Sequence, residues 1–152
     1  YWELTNRLAD AQQPELDAFA QRHAGTYVED RLRNDWLLEL GRRRDWANFQ
    51  REKPRFRMND DREVTCYALL AEHAAGRDVR DAAFAAWLDQ KDADEGCFRL
   101  ASELVAANRF TAEHLWRKAR ASIDVARPRA ARQAAQLAGP AAATAIGDAL
   151  DA

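Results

Sequence analysis

Three aromatic residues recur at a constant spacing in the first hundred residues of the chain. Trp36, Tyr67 and Phe98 lie 31 residues apart, and each is followed by an aliphatic segment and then by a polar turn. A second segment with its own aromatic residue follows each turn. A helix–turn–helix unit of this length cannot bury its apolar face alone, so neighbouring units must stack. The spacing therefore predicts an array of helical repeats.

The composition favours helices throughout. Hydrophobic residues make up 47% of the 152-residue chain and charged residues 32%, which is typical of a globular rather than a disordered protein. There are only 6 glycines and 4 prolines, and alternating β-branched runs are missing. We expect an all-α fold, an α-solenoid or superhelix of about 9–10 short antiparallel helices. Residues 1–152 would form a single helical-repeat segment of a larger superhelical domain.

Turn and capping residues set the expected helix boundaries. We predict helices at 14–24, 28–43, 46–53, 61–75, 80–90, 94–107, 111–123 and from 128 onward with a break at 139–140, while residues 1–11 end an earlier helix. Asp45 is the expected cap of the helix from residue 46, and Thr111 opens a later one. Asn59 or Asp60 is expected to cap the helix at 61–75.

The two tryptophans of the stretch RNDWLLELGRRRDWANF, residues 33–49, are expected to be structural. Trp36 and Leu40 share one face of a helix, and Trp46 and Phe49 lie three apart on the next helix. Aromatic residues at helical spacing are more typical of a core than of a surface that stacks on a ligand. We therefore expect both tryptophans to pack in the core.

The two cysteines occupy equivalent repeat positions. Cys66 and Cys97 directly precede Tyr67 and Phe98, so they lie on consecutive first helices of the array. Neighbouring helices can bring Cα atoms within disulfide range at their contact line, although equivalent positions need not face each other. A disulfide and a pair of buried thiols both remain open. A disulfide would imply an oxidising compartment such as the periplasm.

The sequence contains no recognisable catalytic, cofactor or metal signature. Nucleophile-elbow, P-loop and dinucleotide-binding patterns are missing from it. Its three histidines, His23, His73 and His114, are 50 and 41 residues apart, without the close pair that zinc sites often use. We therefore assign no catalytic residue, no cofactor and no metal ligand.

Arginines cluster in two parts of the chain. Seven basic residues fall between Arg42 and Arg57, and a second basic run follows residue 116. Arginine near a helix C-terminus is common because it complements the helix dipole. A basic strip can also attract an anionic polymer, and we select Arg42, Arg43 and Arg44 as candidates for such a contact. The net charge of −2 argues against a nucleic-acid partner, and no apolar run reaches the length of a membrane span.

Two stretches resemble a known family. These are HAGTYVEDRLRNDWLLELGRRRDWANF, residues 23–49, and DDREVTCYALL, residues 60–70. Both are similar to the N-terminal superhelical domain of the soluble lytic murein transglycosylases. The resemblance implies a periplasmic parent enzyme that cleaves the β-1,4 bond between N-acetylmuramic acid and N-acetylglucosamine in peptidoglycan and leaves a 1,6-anhydro end. In that family the catalytic glutamate lies in a Glu-Ser motif of a separate lysozyme-like domain.

This chain has no Glu-Ser dipeptide, so no catalytic residue of the family can be assigned to it. It opens with Tyr1 rather than methionine, and we expect a fragment of a longer protein. The chain alone would be a non-catalytic scaffold segment, with the catalytic domain as its partner in cis and peptidoglycan as the partner of the whole enzyme. Arg42, Arg43 and Arg44 would contact carboxylates of the peptide stems.

Two other classes of protein fit parts of the sequence. A free-standing adaptor of the tetratricopeptide-repeat kind has a similar repeat length, but its pattern of small residues and recurring proline is missing here. An RNA-binding helical repeat is favoured only by the arginines and is opposed by the net charge of −2.

Overall fold

The computed structural model describes residues 4, 7–90 and 93–139, which contain eight α-helices and no β-strand. The α-helices are α1 (Gln13–Arg22), α2 (Tyr27–Arg43), α3 (Trp46–Glu52), α4 (Arg62–Ala74), α5 (Arg80–Leu88), α6 (Glu95–Ala106), α7 (Ala112–Asp124) and α8 (Pro128–Ala138). Two 3-10 helices lie at Leu8–Asp10 and Lys53–Arg55. The predicted all-α class is confirmed.

The predicted boundaries of α1 to α7 agree with the structure to within about two residues. We expected residues 1–11 to be the end of an α-helix. This prediction is wrong for Leu8–Asp10, which form a short 3-10 helix. The Glu15 carboxylate accepts the Gln12 backbone N–H at 2.9 Å, so α1 begins afresh after an extended Gln12. The predicted break at 139–140 reaches beyond the described residues, although α8 does end directly before Gly139.

The helix caps follow the sequence with one exception. Asp45 accepts the Asn48 backbone N–H and caps α3, as predicted. The cap of α4 is Asp61, which accepts the Glu63 N–H at 2.9 Å, so the expected cap at Asn59 or Asp60 is wrong. The Asp60 carboxylate binds a guanidinium of α2 instead, and Asn59 has a left-handed backbone that is incompatible with an N-cap.

The helices share one continuous core. Each of α2, α4 and α5 packs against the next helix in the chain and the next but one, and α8 packs mainly on α7. Trp36 and Tyr67 are buried at equivalent positions of α2 and α4, and Phe98 is half-buried on α6. Trp46 is half-buried against the rings of Phe49 and Tyr67. Core packing is therefore confirmed for Trp36, and Trp46 lies at the edge of the same core.

The Tyr67 ring lies between two glycines on neighbouring helices. A Cβ added to Gly41 of α2 would come within 3.0 Å of several carbons of the ring. A Cβ added to Gly96 of α6 would come within 3.0 Å of the same ring and of the Glu63 side chain. Only glycine at both positions lets α2 and α6 approach α4 this closely. Burial between these helices also raises the pKa of the Tyr67 phenol to about 12.

The substitution Gly41→Ala should destabilise the protein by about 1–3 kcal/mol, because the new methyl group must displace a buried ring. Alanine favours a helix by about 1 kcal/mol over glycine, so the sign of the effect separates packing from helix propensity. Urea unfolding monitored by circular dichroism measures it. In a Tyr67→Ala background the ring is gone, and the same substitution should become neutral or stabilising. An equal loss in both backgrounds would show that the ring is not the cause.

Candidate functional site

The arginines selected from the sequence lie together at the C-terminal end of α2. Arg42 and Arg43 share the carboxylate of Glu39, with Nε–O distances of 2.9 Å for both. Arg44 ends the helix in the left-handed conformation and forms an ion pair with Glu103 of α6. Three guanidinium groups therefore share two carboxylates, which offset part of their positive charge.

Arg43 has a structural role. Its Nη2 donates to the backbone carbonyls of Leu8, Ala9 and Ala11 at 2.8–3.0 Å, and its guanidinium lies 4.8 Å from the centre of the Trp36 ring. These contacts attach the N-terminal segment to α2. Contact of Arg42, Arg43 and Arg44 with peptidoglycan stays a prediction, and Arg43 is the least available of the three.

Cys66 and Cys97 form a disulfide between α4 and α6. Their Cα atoms are 5.0 Å apart, their sulfur atoms are bonded, and both residues are fully buried. The bridge joins two helices that also pack directly on each other. Of the two alternatives left open by the sequence, the structure has the bridge.

Removing the bridge with Cys66→Ala and Cys97→Ala should lower the free energy of unfolding by about 3–4 kcal/mol, from the chain entropy of a loop of this length. The residues that the bridge joins are 31 apart. Urea unfolding with and without dithiothreitol checks this, because the reductant should affect the wild type only. Alkylation of the denatured wild-type protein before reduction provides the control, since accessible thiols there would mean that no bridge had formed.

An open groove runs between α1, the first turns of α2 and the segment from α3 to residue 57. Its volume is about 760 Å³. The lining residues are Pro14, Asp17, Ala18, Ala20, Gln21, Glu29, Arg33, Arg51, Glu52, Arg55 and Arg57. Charged side chains predominate, so a ligand of this groove would have to be polar.

The floor of the groove is a buried ion-pair network centred on Arg33. The guanidinium donates to Glu29 at 2.8 Å and to Glu52 at 2.9 Å, with all three side chains at most 13% exposed. The remaining carboxylate oxygens accept from the Gly25 N–H at 2.8 Å and from Gln13 Nε2 at 3.0 Å. Every carboxylate oxygen of the network therefore has a donor, as buried charges require.

Burial and hydrogen bonding act in opposite directions on this network. Burial raises the pKa of Glu29, but the hydrogen bonds from Arg33 and from the Gly25 N–H lower the pKa by more, and the net shift is downward. Burial lowers the pKa of Arg33, and the hydrogen bonds to Glu29 and Glu52 reverse the direction. The charged forms are thus the stable ones in the folded protein.

Replacing Arg33 by methionine should destabilise the protein by about 3–5 kcal/mol at pH 7, because two buried carboxylates lose their cation. Since the folded pKa of Glu29 is depressed, its contribution is present above the ordinary value of 4.5 and is lost as pH falls. The destabilisation should therefore shrink toward pH 3. Urea unfolding across pH 3–7 measures it, with Arg22→Met on the exposed face of α1 as control. A loss that does not depend on pH would exclude the ion pairs as its source.

Three exposed arginines, Arg51, Arg55 and Arg57, form the rim of the groove. The first two lie at the end of α3 and in the 3-10 helix after it, and both line the groove. Arg57 is held by its backbone, because the buried carboxylate of Asp30 accepts the N–H groups of Arg57 and Met58 at 2.8 and 3.0 Å. The rim is therefore part of a fixed segment.

A second hollow of about 340 Å³ is acidic. It is lined by Asp60, Asp61, Arg62, Glu63, Asp89, Gln90, Ala93 and Asp94. Behind it Lys118 is buried, donates to the Trp87 carbonyl, and has a pKa lowered to about 8 by burial. Among the described residues no group of three or more histidine, cysteine or acidic side chains is placed to hold a metal ion.

Two of the three histidines, His23 and His114, pack against aromatic rings. His23 packs against Phe19 in a tilted arrangement with 4.3 Å between ring centres, and His114 stacks on Phe110 at 5.2 Å. His114 Nδ1 also accepts the Thr111 N–H, which completes the predicted cap of α7. Within residues 7–90 and 93–139, no helix has both the length and the apolar character that crossing a bilayer requires.

Sequence reasoning missed the groove for an identifiable reason. Glu29 and Arg33 stand four apart on one helix, which is a readable signal for an ion pair. Glu52 lies on another helix, 19 residues after Arg33 in the chain. No local sequence pattern predicts its contact with Arg33.

Comparison by sequence finds no matching protein-family model and no matching curated protein. Inferences about function therefore depend on the residues of this chain and on their geometry.

Proposed function

We propose that this chain is a non-catalytic scaffold segment of a soluble lytic murein transglycosylase. The parent enzyme would cleave the β-1,4 bond between N-acetylmuramic acid and N-acetylglucosamine of peptidoglycan and leave 1,6-anhydro ends. The observation that carries the proposal is the resemblance of residues 23–49 to the superhelical domain of that family. Without a Glu-Ser dipeptide, the segment contributes shape and contacts rather than the catalytic acid.

The roles of the residues within that stretch support a scaffold. Thr26 and Asp45 accept backbone N–H groups and cap α2 and α3. Arg33 binds two buried carboxylates, and Gly41 leaves room for the ring of Tyr67. The residues that carry the resemblance therefore cap helices and pack the core, which are structural roles rather than catalytic ones.

We further propose that the helices belong to a superhelical array. Helices α2, α4 and α6 carry the recurring aromatic residues, and α4 contacts both of the other two. The disulfide joins equivalent positions of α4 and α6. Stacking of equivalent units, each touching its neighbours, is the packing of repeat proteins.

The buried disulfide supports a periplasmic location, because such bridges form and persist in oxidising compartments. In the cytosol of most organisms thiols are kept reduced.

The proposal is tested by sequencing the native gene on both sides of this segment and by assaying the encoded protein. We expect a secretion signal upstream and a lysozyme-like domain with a Glu-Ser motif downstream. The purified protein should release 1,6-anhydro products from murein sacculi, and replacing that glutamate with glutamine should reduce the rate by at least about a hundredfold. A reading frame that closes soon after residue 152 would instead favour a free-standing helical adaptor.

A further inference from the structure

We infer that the groove between α1, α2 and α3 binds a peptide that carries two or more free carboxylates, through Arg51, Arg55 and Arg57. The inference of an acidic-peptide site depends on the geometry of the groove. Naming the peptide stems of peptidoglycan as the natural source of that peptide rests on the proposed function.

The rim arginines have no carboxylate of the protein within hydrogen-bonding distance in the described contacts. Arg55 Nη1 is 4.0 Å from Glu52, and Arg57 is 3.8 Å from Glu29 and 3.7 Å from Asp30. Arg51 donates to the amide oxygen of Asn48. Each of the three therefore has guanidinium N–H groups available to a ligand.

The buried Arg33 explains why those carboxylates are not available to the rim. Glu29 and Glu52 each direct an oxygen at Arg33, and their other oxygens accept from Gly25 and Gln13. The lining contains four arginines against three carboxylates, so the groove has a net charge of +1 with its free donors on the exposed side.

The chemistry of the donors selects the ligand. A guanidinium is a planar fork that binds a carboxylate through two parallel hydrogen bonds. Three guanidinium groups line the same side of the groove. Arg51 and Arg55 lie four residues apart, and Arg57 follows them on a segment whose backbone binds Asp30. A volume of about 760 Å³ is within the range of sites for small ligands and short peptides.

The same lining disfavours a nucleic acid. Asp17, Glu29 and Glu52 lie on the other wall and on the floor, and would repel a dense row of phosphates. A peptide has separated carboxylates, with amide groups and an amino group between them. Asp17 and Gln21 can bind those groups while the arginines bind the carboxylates.

Two exposed apolar residues, Tyr27 and Met58, adjoin the segment of Arg57 outside the lining of the groove. Tyr27 is 66% exposed and Met58 is 48% exposed, which is unusual for large hydrophobic residues in this chain. Arg57 Nη2 donates to the carbonyl of Thr26, directly before Tyr27, so these side chains lie beside the rim. They offer contact to the aliphatic part of a bound peptide.

The test uses the peptide Ala-Glu-Ala-Glu and the matched peptide Ala-Gln-Ala-Gln with an amidated C-terminus, each labelled with an uncharged BODIPY dye so that the label adds no carboxylate. Fluorescence anisotropy measures binding to the whole chain at about 50 mM salt, where exposed charges are weakly screened. The acidic peptide should bind, and the neutral one should bind at least about tenfold more weakly.

Two protein variants locate the site. The groove variant combines Arg51→Gln, Arg55→Gln and Arg57→Gln and should weaken binding of the acidic peptide by about tenfold or more. The double variant Arg51→Gln with Arg55→Gln keeps the bond from Arg57 to Thr26, so it gives a readout if the triple variant fails to fold. Its affinity should also fall.

The charge-matched control combines Arg77→Gln, Arg80→Gln and Arg109→Gln, three exposed arginines that do not line the groove. It changes the net charge as much as the groove variant and should leave binding within about twofold of the wild type. Equal loss in control and groove variants, or equal binding of the two peptides, would overturn the inference.

Competition with soluble peptide stems released from murein separates this inference from the proposed function. Stems that displace the acidic probe from the wild type assign the source as peptidoglycan. If only the acidic probe binds, and binding depends on the rim arginines, the acidic-peptide site is confirmed and peptidoglycan is excluded as the source of its ligand. An intact groove variant that binds stems as well as the wild type does would overturn the site itself, even where the parent enzyme proves to cleave murein.

Discussion

The close approach of three helices around the Tyr67 ring is the constraint on which the fold depends. The ring projects from α4 and lies between Gly41 on α2 and Gly96 on α6, with no room for a Cβ at either position. Ring packing of this kind fixes the distance between helices more narrowly than aliphatic contacts, because a flat rigid ring cannot adapt to a gap. The disulfide lies on the preceding residue of α4, Cys66, so covalent and packed contacts hold the same junction.

A second constraint decides where positive charge is available on the surface. Arg33 lies at the floor of the groove and binds one oxygen of each of two carboxylates, Glu29 and Glu52. Those carboxylates would otherwise pair with the exposed arginines. At the far end of α2, Glu39 and Glu103 bind the exposed arginines directly and offset two of their three positive charges. The two basic regions therefore look alike in the sequence and differ in the structure, because carboxylates hydrogen-bond to the exposed arginines of one region and lie 3.7–4.0 Å from Arg55 and Arg57 of the other.

The parts of the fold that could be predicted are those set by residues near each other in the chain. Helix boundaries follow from caps and turns, and the burial of Trp36 follows from the helical spacing of its apolar neighbours. The groove could not be predicted, because it depends on pairings between helices such as Arg33 with Glu52. The pairing of Arg44 with Glu103 spans 59 residues, so the sequence showed the charge of that arginine but not its neutralisation.

The disulfide also determines how the chain would respond to tension. A chain of packed helices that is pulled at its two ends lengthens as the helices separate and unfold. The 31-residue separation of Cys66 and Cys97 corresponds to about 100 Å of fully extended backbone that pulling on the ends cannot release while the bridge is intact. Elongation under load is thus confined to the segments on either side of the bridge, and the residues between the two cysteines cannot lengthen by unfolding.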